Sequence, residues 1–291
     1  MSHVRIAILT ALAMLAFAGN SLLCRLALKH TGIDPASFTT IRLLSGALML
    51  WLVITLKRGA RVHTVAVTAT KPRGGNWLSA FALFVYAAGF SFAYVSLPAA
   101  TGALLLFGAV QATMIGHGMW SGERFSHVQW VGLVLAFCGL LSLLLPGLSA
   151  PPLLGSALML TAGLAWGIYS LRGKGAGDPT LVTAGNFLRA VPMALVLSLL
   201  MLSNSSIDVQ GVGYALASGA LASGVGYAIW YTALPGLKVT QAATVQLSVP
   251  VLAALGGIVF LDERLTLRLI LASMAILGGI ALVIWERRPI K

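Results

Sequence analysis

Two sets of aromatic residues recur every four positions, Tyr86, Phe90 and Tyr94 in one apolar run and Tyr227 and Tyr231 in another. On a helix that spacing makes a stripe along one face. Phe17, Trp166, Tyr169 and Trp230 stand at similar depth in other apolar runs, and together the rings could wall a pocket that stacks planar or apolar groups. For any single ring, ordinary helix packing explains as much. Asn20, Gln111, Asn186, Gln241, Thr244, Gln246 and Ser248 also lie within apolar runs, where each must find a partner or water. Interhelical hydrogen bonding is the usual use, worth about 0.6 kcal/mol on average. Asn20, beside Gly19, and Gln246, one turn ahead of Pro250, are best placed to orient a ligand.

The charges divide into two kinds. Arg42 and Arg189 stand inside apolar runs, where an Arg at the centre of a membrane helix costs at least ~2.5 kcal/mol. Two readings stay open: they snorkel or bond carbonyls, or they attract a carboxylate. Glu123 and Glu263 each precede an Arg in a turn between apolar runs and read as anchors of that turn. Ser126-His-Val-Gln129 has the form of a capping box and Thr266 can cap in the same way. A carboxylate there favours the positive end of the following helix by roughly 0.3–1 kcal/mol. His117 is the one titratable candidate near a hydrocarbon span, since no Asp or Glu lies clearly within one.

Catalytic chemistry finds no footing. There is no phosphate-binding Gly-Lys loop, no metal-ligand spacing among the His residues, and no nucleophile with a base at membrane depth. Neither an enzyme nor a cofactor is expected. Cys24 and Cys138 sit in separate apolar runs and indicate neither a disulfide nor a metal site. The candidates for binding a small molecule are Asn20, Arg42, Tyr86, Phe90, Tyr94, Trp166, Tyr227 and Gln246.

The elements that must carry these residues are membrane helices. With 58% hydrophobic and 9% charged residues, 291 residues hold more apolar surface than a soluble core could hide. Ten segments are long enough to cross a hydrocarbon core: 6–26, 37–56, 76–97, 99–119, 128–145, 153–171, 181–202, 211–234, 240–261 and 267–285. Short connections with turn chemistry join them, and only Lys57 to Gly75 makes a loop of any size, with room for a short surface helix. Pro250 and Pro192 predict bends in the ninth and seventh segments, the ninth being the expected gating helix.

A net charge of +12 would suggest nucleic acid in a soluble chain, but here its position matters more than its size. Placing the N-terminus in the cytoplasm puts 13 of the 19 Lys and Arg there, and the even number of segments returns the C-terminus to the same side. The partners expected are therefore the lipid bilayer and a small molecule, with no nucleic acid, and with a monomer as the working unit. Arg5, the run Ile6 to Leu15 and Ala16-Phe17-Ala18 imitate a signal peptide. The apolar run continues to Leu28, so a retained first helix is expected.

The chain also contains itself twice. Tyr94-Val-Ser-Leu-Pro98, an apolar run, Gly122-Glu-Arg124 and another apolar run match Tyr231-Thr-Ala-Leu-Pro235, a run, Asp262-Glu-Arg264 and a last run. Earlier, Ala18-Gly19 matches Trp166-Gly167, and Phe38-Thr-Thr-Ile-Arg42 matches Gly185-Asn-Phe-Leu-Arg189. Five is an odd number, so two like halves, 1–150 and 151–291, must enter the membrane from opposite sides. That inverted arrangement places a substrate near the midplane between the halves.

On these residues the chain resembles the EamA-type members of the drug/metabolite transporter superfamily over essentially its full length. Its segment pattern is most similar to the bacterial aromatic amino acid exporters. The resemblance implies an all-α integral membrane fold of ten helices in two inverted five-helix repeats, set in the bacterial inner membrane, and a carrier without cofactor. Export of aromatic and large neutral amino acids is the expected activity; a broad-specificity drug or metabolite exporter and a channel-like pore are the alternatives.

Overall fold

The computed structural model describes residues 2–59, 74–122, 124–145, 150–173, 177–237 and 245–285, and among these the chain is helical with no strand. Ten helices follow in order: α1 (His3–His30), α2 (Pro35–Gly59), α3 (Trp77–Tyr94), α4 (Ala99–Trp120), α5 (His127–Leu144), α6 (Leu153–Gly173), α7 (Pro179–Leu200), α8 (Val209–Gly236), α9 (Ser248–Leu261) and α10 (Leu267–Trp285). All but α9 are long and apolar enough to cross a membrane. The start of the ninth expected segment, 240–244, lies outside the described residues, as does most of the loop over 57–75.

Side chains close most helix starts, because a backbone N–H left bare at the edge of lipid is expensive. Asp34 accepts from the amides of Ala36 and Ser37 at 2.9 Å each, Asn76 from Ser79, Asp178 from Thr180 and Leu181, and Thr266 from Leu269. Ser126 and Gln129 form the capping box the sequence predicts. The start of α4 is an exception, because its cap position is Pro98, whose side chain makes no bond. The carboxylate of Glu263, 164 positions away, accepts from the Ala99 amide at 2.8 Å instead.

Inside, α3 packs on α6 and α7, α4 on α6 and α9, α2 on α7 and α8, α1 on α8 and α9, and α5 along α10. Advancing every helix number by five maps these pairings onto one another, α3–α6 onto α8–α1 and α4–α6 onto α9–α1. Glycine makes the α5–α10 contact close: a Cβ on Gly132 would lie 2.6 Å from the Gly279 carbonyl oxygen. The Gln129 amide adds a bond to the Val283 carbonyl at 3.1 Å. Outward-facing Leu48, Trp51, Phe81, Leu153, Leu199 and Met274 are more than half exposed. Such a surface suits lipid rather than water.

Two loops are clasped together at one end of the bundle. Asp34 N–H donates to the Ser206 carbonyl at 2.8 Å and its carboxylate accepts from the Ser206 amide at 3.1 Å. In return, Asp208 caps α8 through the Gly211 amide and accepts from Gly32 N–H. This ties the α1–α2 turn to the α7–α8 turn.

Pro250 is the third residue of α9, and the helical residues Val245 and Gln246 ahead of it are separated from α9 by a turn at Leu247, one turn before the residue that lacks an N–H. Pro192 lies inside α7, which runs unbroken past it. The irregular helix is α8, wound as a π-helix over Ala217–Val225. Such stretches are rare and are frequent at functional sites.

Candidate functional site

Arg42 is carried seven residues beyond the start of α2, which at 1.5 Å per residue sets it about 10 Å along the helix. The side chain is 1% exposed. Its Nη2 donates to the Tyr86 hydroxyl at 2.9 Å and its Nε points to the Ser223 hydroxyl at 3.5 Å. The guanidinium carbon lies 5.1 Å from the ring centre of Tyr86 and 4.8 Å from that of Phe90. A desolvated cation gains about 2 kcal/mol from such a face. The remaining nitrogen, Nη1, is buried and has no hydrogen-bond partner among the described residues.

Asn20 of α1 completes the cluster. Its Nδ2 reaches the Tyr86 hydroxyl at 3.4 Å, and its Oδ1 accepts from the Ser218 hydroxyl at 2.6 Å. The Tyr86 oxygen therefore receives two donors, the number its lone pairs allow. Four helices, α1, α2, α3 and α8, meet through these polar groups.

Rings close the space around them. Trp166 of α6 lies 4.7 Å from Tyr86, 5.1 Å from Tyr227 and 5.3 Å from Tyr169, centre to centre, and Phe17 meets the edge of Tyr227 at 5.8 Å. The cavity among Phe17, Asn20, Tyr86, Phe90, Trp166 and Tyr227 amounts to ≈ 20 Å³. That is room for about one water molecule. The stripes expected to wall an open pocket do converge, but they pack on each other, so any solute larger than water must part them.

Six of the eight candidate residues thus come together: Asn20, Arg42, Tyr86, Phe90, Trp166 and Tyr227. Tyr94 continues the α3 stripe, with its ring 4.7 Å from Phe90, but its hydroxyl donates to the Ala99 carbonyl at 3.3 Å and the ring is covered by Gly102. It faces the α3–α4 turn. Gln246 lies in a helical stretch that a turn at Leu247 separates from α9, and it does not line the cavity. Arg189, matched to Arg42 in the sequence repeat, donates to the carbonyls of Gly74 and Gly185 at 2.7 and 2.8 Å. Of the two readings left open, Arg189 takes the carbonyl-bonded one.

Sequence reading missed Ser218 and Ser223. Both sit in the small-residue run of α8, which reads as close packing; their spacing of five becomes one face only when the helix is wound as π. It also missed a charge pair: Arg25 is 8% exposed and bonds Glu263 at 3.3 Å and the carbonyls of Tyr94 and Val95 at 2.8 and 3.0 Å. Glu263 serves α4 and α1 rather than the start of α10, which Thr266 caps by itself. Glu123, its counterpart in the sequence repeat, lies outside the described residues. His117 is exposed near the end of α4, away from the cluster.

Comparison with known proteins places these features in a wider set. The sequence pattern of the EamA-like transporter family matches residues 153–285. A Pseudomonas aeruginosa protein described as uncharacterized is 59% identical, over 97% of this chain and 96% of its own. An uncharacterized transporter of Archaeoglobus fulgidus is 26% identical over 88% of this chain and 89% of its own. The threonine/homoserine exporter RhtA of Escherichia coli K12 is 35% identical over 56% of this chain and 58% of its own. A solved crystal structure superposes with a TM-score of 0.66 over 99% of this chain and 100% of its own at 18% identity, a likeness of fold alone.

Proposed function

We propose that this chain, whose residues 153–285 match the sequence pattern of the EamA-like transporter family, exports amino acids from the cytoplasm, aromatic and large neutral ones first. It would do so by alternating access between two inverted halves, 1–150 and 151–291. The observation that carries the reading is the Arg42 cluster: a buried guanidinium, without an acidic partner among the described residues, set among hydrogen-bonding groups and aromatic faces where four helices meet. The helix pairings that map onto one another when each number advances by five support the two halves.

A smaller, hydroxylated amino acid is the second reading. The tightness of the ≈ 20 Å³ cavity favours it, and so does the relation to a threonine/homoserine exporter over part of the chain. The rings serve either substrate, as stacking surface for one and as a dry wall for the other. The positive charge of the predicted cytoplasmic loops supports a reading with both termini inside, and the inner membrane is the site proposed with it.

Vesicles reconstituted with the protein and loaded with unlabelled substrate should accumulate labelled phenylalanine, tryptophan or methionine by counterflow. Lysine and a planar organic cation should accumulate much less. Preference for threonine over phenylalanine would select the second reading. Uptake of the cation with none of the amino acids would overturn both in favour of a broad drug exporter, and flux without saturation or counterflow would indicate a pore.

A further inference from the structure

Among the described residues, the centre of the bundle offers the Arg42 guanidinium and no carboxylate to balance it. The sequence has seven acidic residues, and the five among the described residues, Asp34, Asp178, Asp208, Asp262 and Glu263, each stand outside the helices. Glu263, with its side chain 7% exposed, is held by Arg25 and the Ala99 amide at the end of the bundle. Among the described residues Arg42 therefore has no carboxylate to meet, and its Nη1 is buried and unpartnered. Its neighbours are a phenol, a serine hydroxyl and two ring faces, all neutral.

Consider what the two ends of an amino acid would find. A carboxylate meets a guanidinium, which offers paired donors in a plane that matches it. An ammonium meets only Asn20, hydroxyl groups and rings, and a neutral acceptor does not offset the desolvation of a full charge as a carboxylate does. The asymmetry is large, because a site built around one charged group rejects the analogue lacking it, leaving its own buried donor unpaired.

We infer that the Arg42 cluster selects organic monocarboxylates through the carboxylate alone, the ammonium group being dispensable. The inference rests on the same site as the proposed function and narrows its chemistry. Deaminated carboxylic acids with an apolar or aromatic tail are then ligands in their own right, and amines without a carboxylate are not. In the unliganded protein Tyr86 and Phe90 cover the guanidinium; a carboxylate takes the place of the Tyr86 hydroxyl on Nη2 and satisfies Nη1 at the same time.

Three probes that share one ring and differ in their ends decide the matter: phenylalanine, 3-phenylpropionate and phenethylamine. Apparent dissociation constants come from ligand-dependent melting of the purified wild-type protein in detergent. Phenylpropionate is expected within about tenfold of phenylalanine, and phenethylamine at least about a hundredfold weaker. In Arg42→Gln the difference between acid and amine should vanish, while Arg42→Lys, which keeps the charge, should preserve its direction. The wild-type panel stands by itself should the Gln variant fail to fold. Equal binding of acid and amine overturns the inference, as does binding of none of the three at millimolar concentration. Phenylalanine binding without phenylpropionate overturns it and leaves amino acid export standing. Phenylpropionate binding with neither phenylalanine nor threonine supports it and overturns the amino acid reading.

Discussion

Tyr86 carries more of the site than its hydrophobic surroundings suggest. Its oxygen receives both Arg42 Nη2 and Asn20 Nδ2, and its ring lies against Phe90, Trp166 and the guanidinium. Tyr86→Phe keeps the ring and removes the acceptor, leaving a second guanidinium nitrogen bare in a buried place. The expected cost is about 1–3 kcal/mol of stability, read as a lower melting temperature in detergent. Saturating 3-phenylpropionate should recover part of the loss by supplying the missing acceptor. An unchanged melting temperature would show that the hydroxyl is not bonded as described. The sequence made the α3 stripe legible because a spacing of four fixes which side chains share a face. It does not fix how that face is rotated, and so Tyr94 reads as a site residue although its hydroxyl turns to Ala99.

At the scale of elements, Arg25 and Glu263 join four pieces of chain that are distant in sequence. Arg25 of α1 holds the end of α3 through two carbonyls, and Glu263, in the turn after α9, holds both Arg25 and the first amide of α4. Glu263→Gln leaves a buried guanidinium facing only carbonyls. Breaking one partner of a buried pair costs roughly 3–5 kcal/mol, measured by thermal melting. Replacing both charges, as in Arg25→Met with Glu263→Gln, should recover part of that. In the single variant a cysteine placed at Ser96, beside this lattice, should react faster with a water-soluble maleimide; equal reactivity and stability would mean that the pair closes nothing. A cap supplied across 164 positions leaves no local trace, so Glu263 reads as the anchor of its own hairpin. Ser126 was legible for the opposite reason, since its partner Gln129 is three residues away.

For the whole molecule, length and apolarity are properties of single segments, and the helices could therefore be read almost to their ends, except that α9 starts only at Ser248. Orientation in the membrane follows from charge summed over loops. If 57–75 faces the cytoplasm, a cysteine there should resist an impermeant thiol reagent in intact cells, whereas one at Ser205, exposed in the α7–α8 turn, should react. The reverse pattern would invert the topology and make the proposed exporter face the wrong way. The packing list was not legible, because rotation and tilt of each helix are settled by its neighbours.

The π-wound stretch of α8 has a mechanical meaning for such a molecule. Ser218 and Ser223 both reach toward Asn20 and Arg42 because π winding, bonded between residues five apart, brings such residues near one face. In ordinary α winding the second would stand about 140° round the axis from the first. A stretch wound this way holds slack, more residues than its height requires, and it can let that slack out by rewinding while each amide trades one carbonyl for the next. Helix α8 could then lengthen and unscrew beneath the substrate, withdrawing one serine from the guanidinium as it goes, without a proline, a hinge or a broken backbone bond.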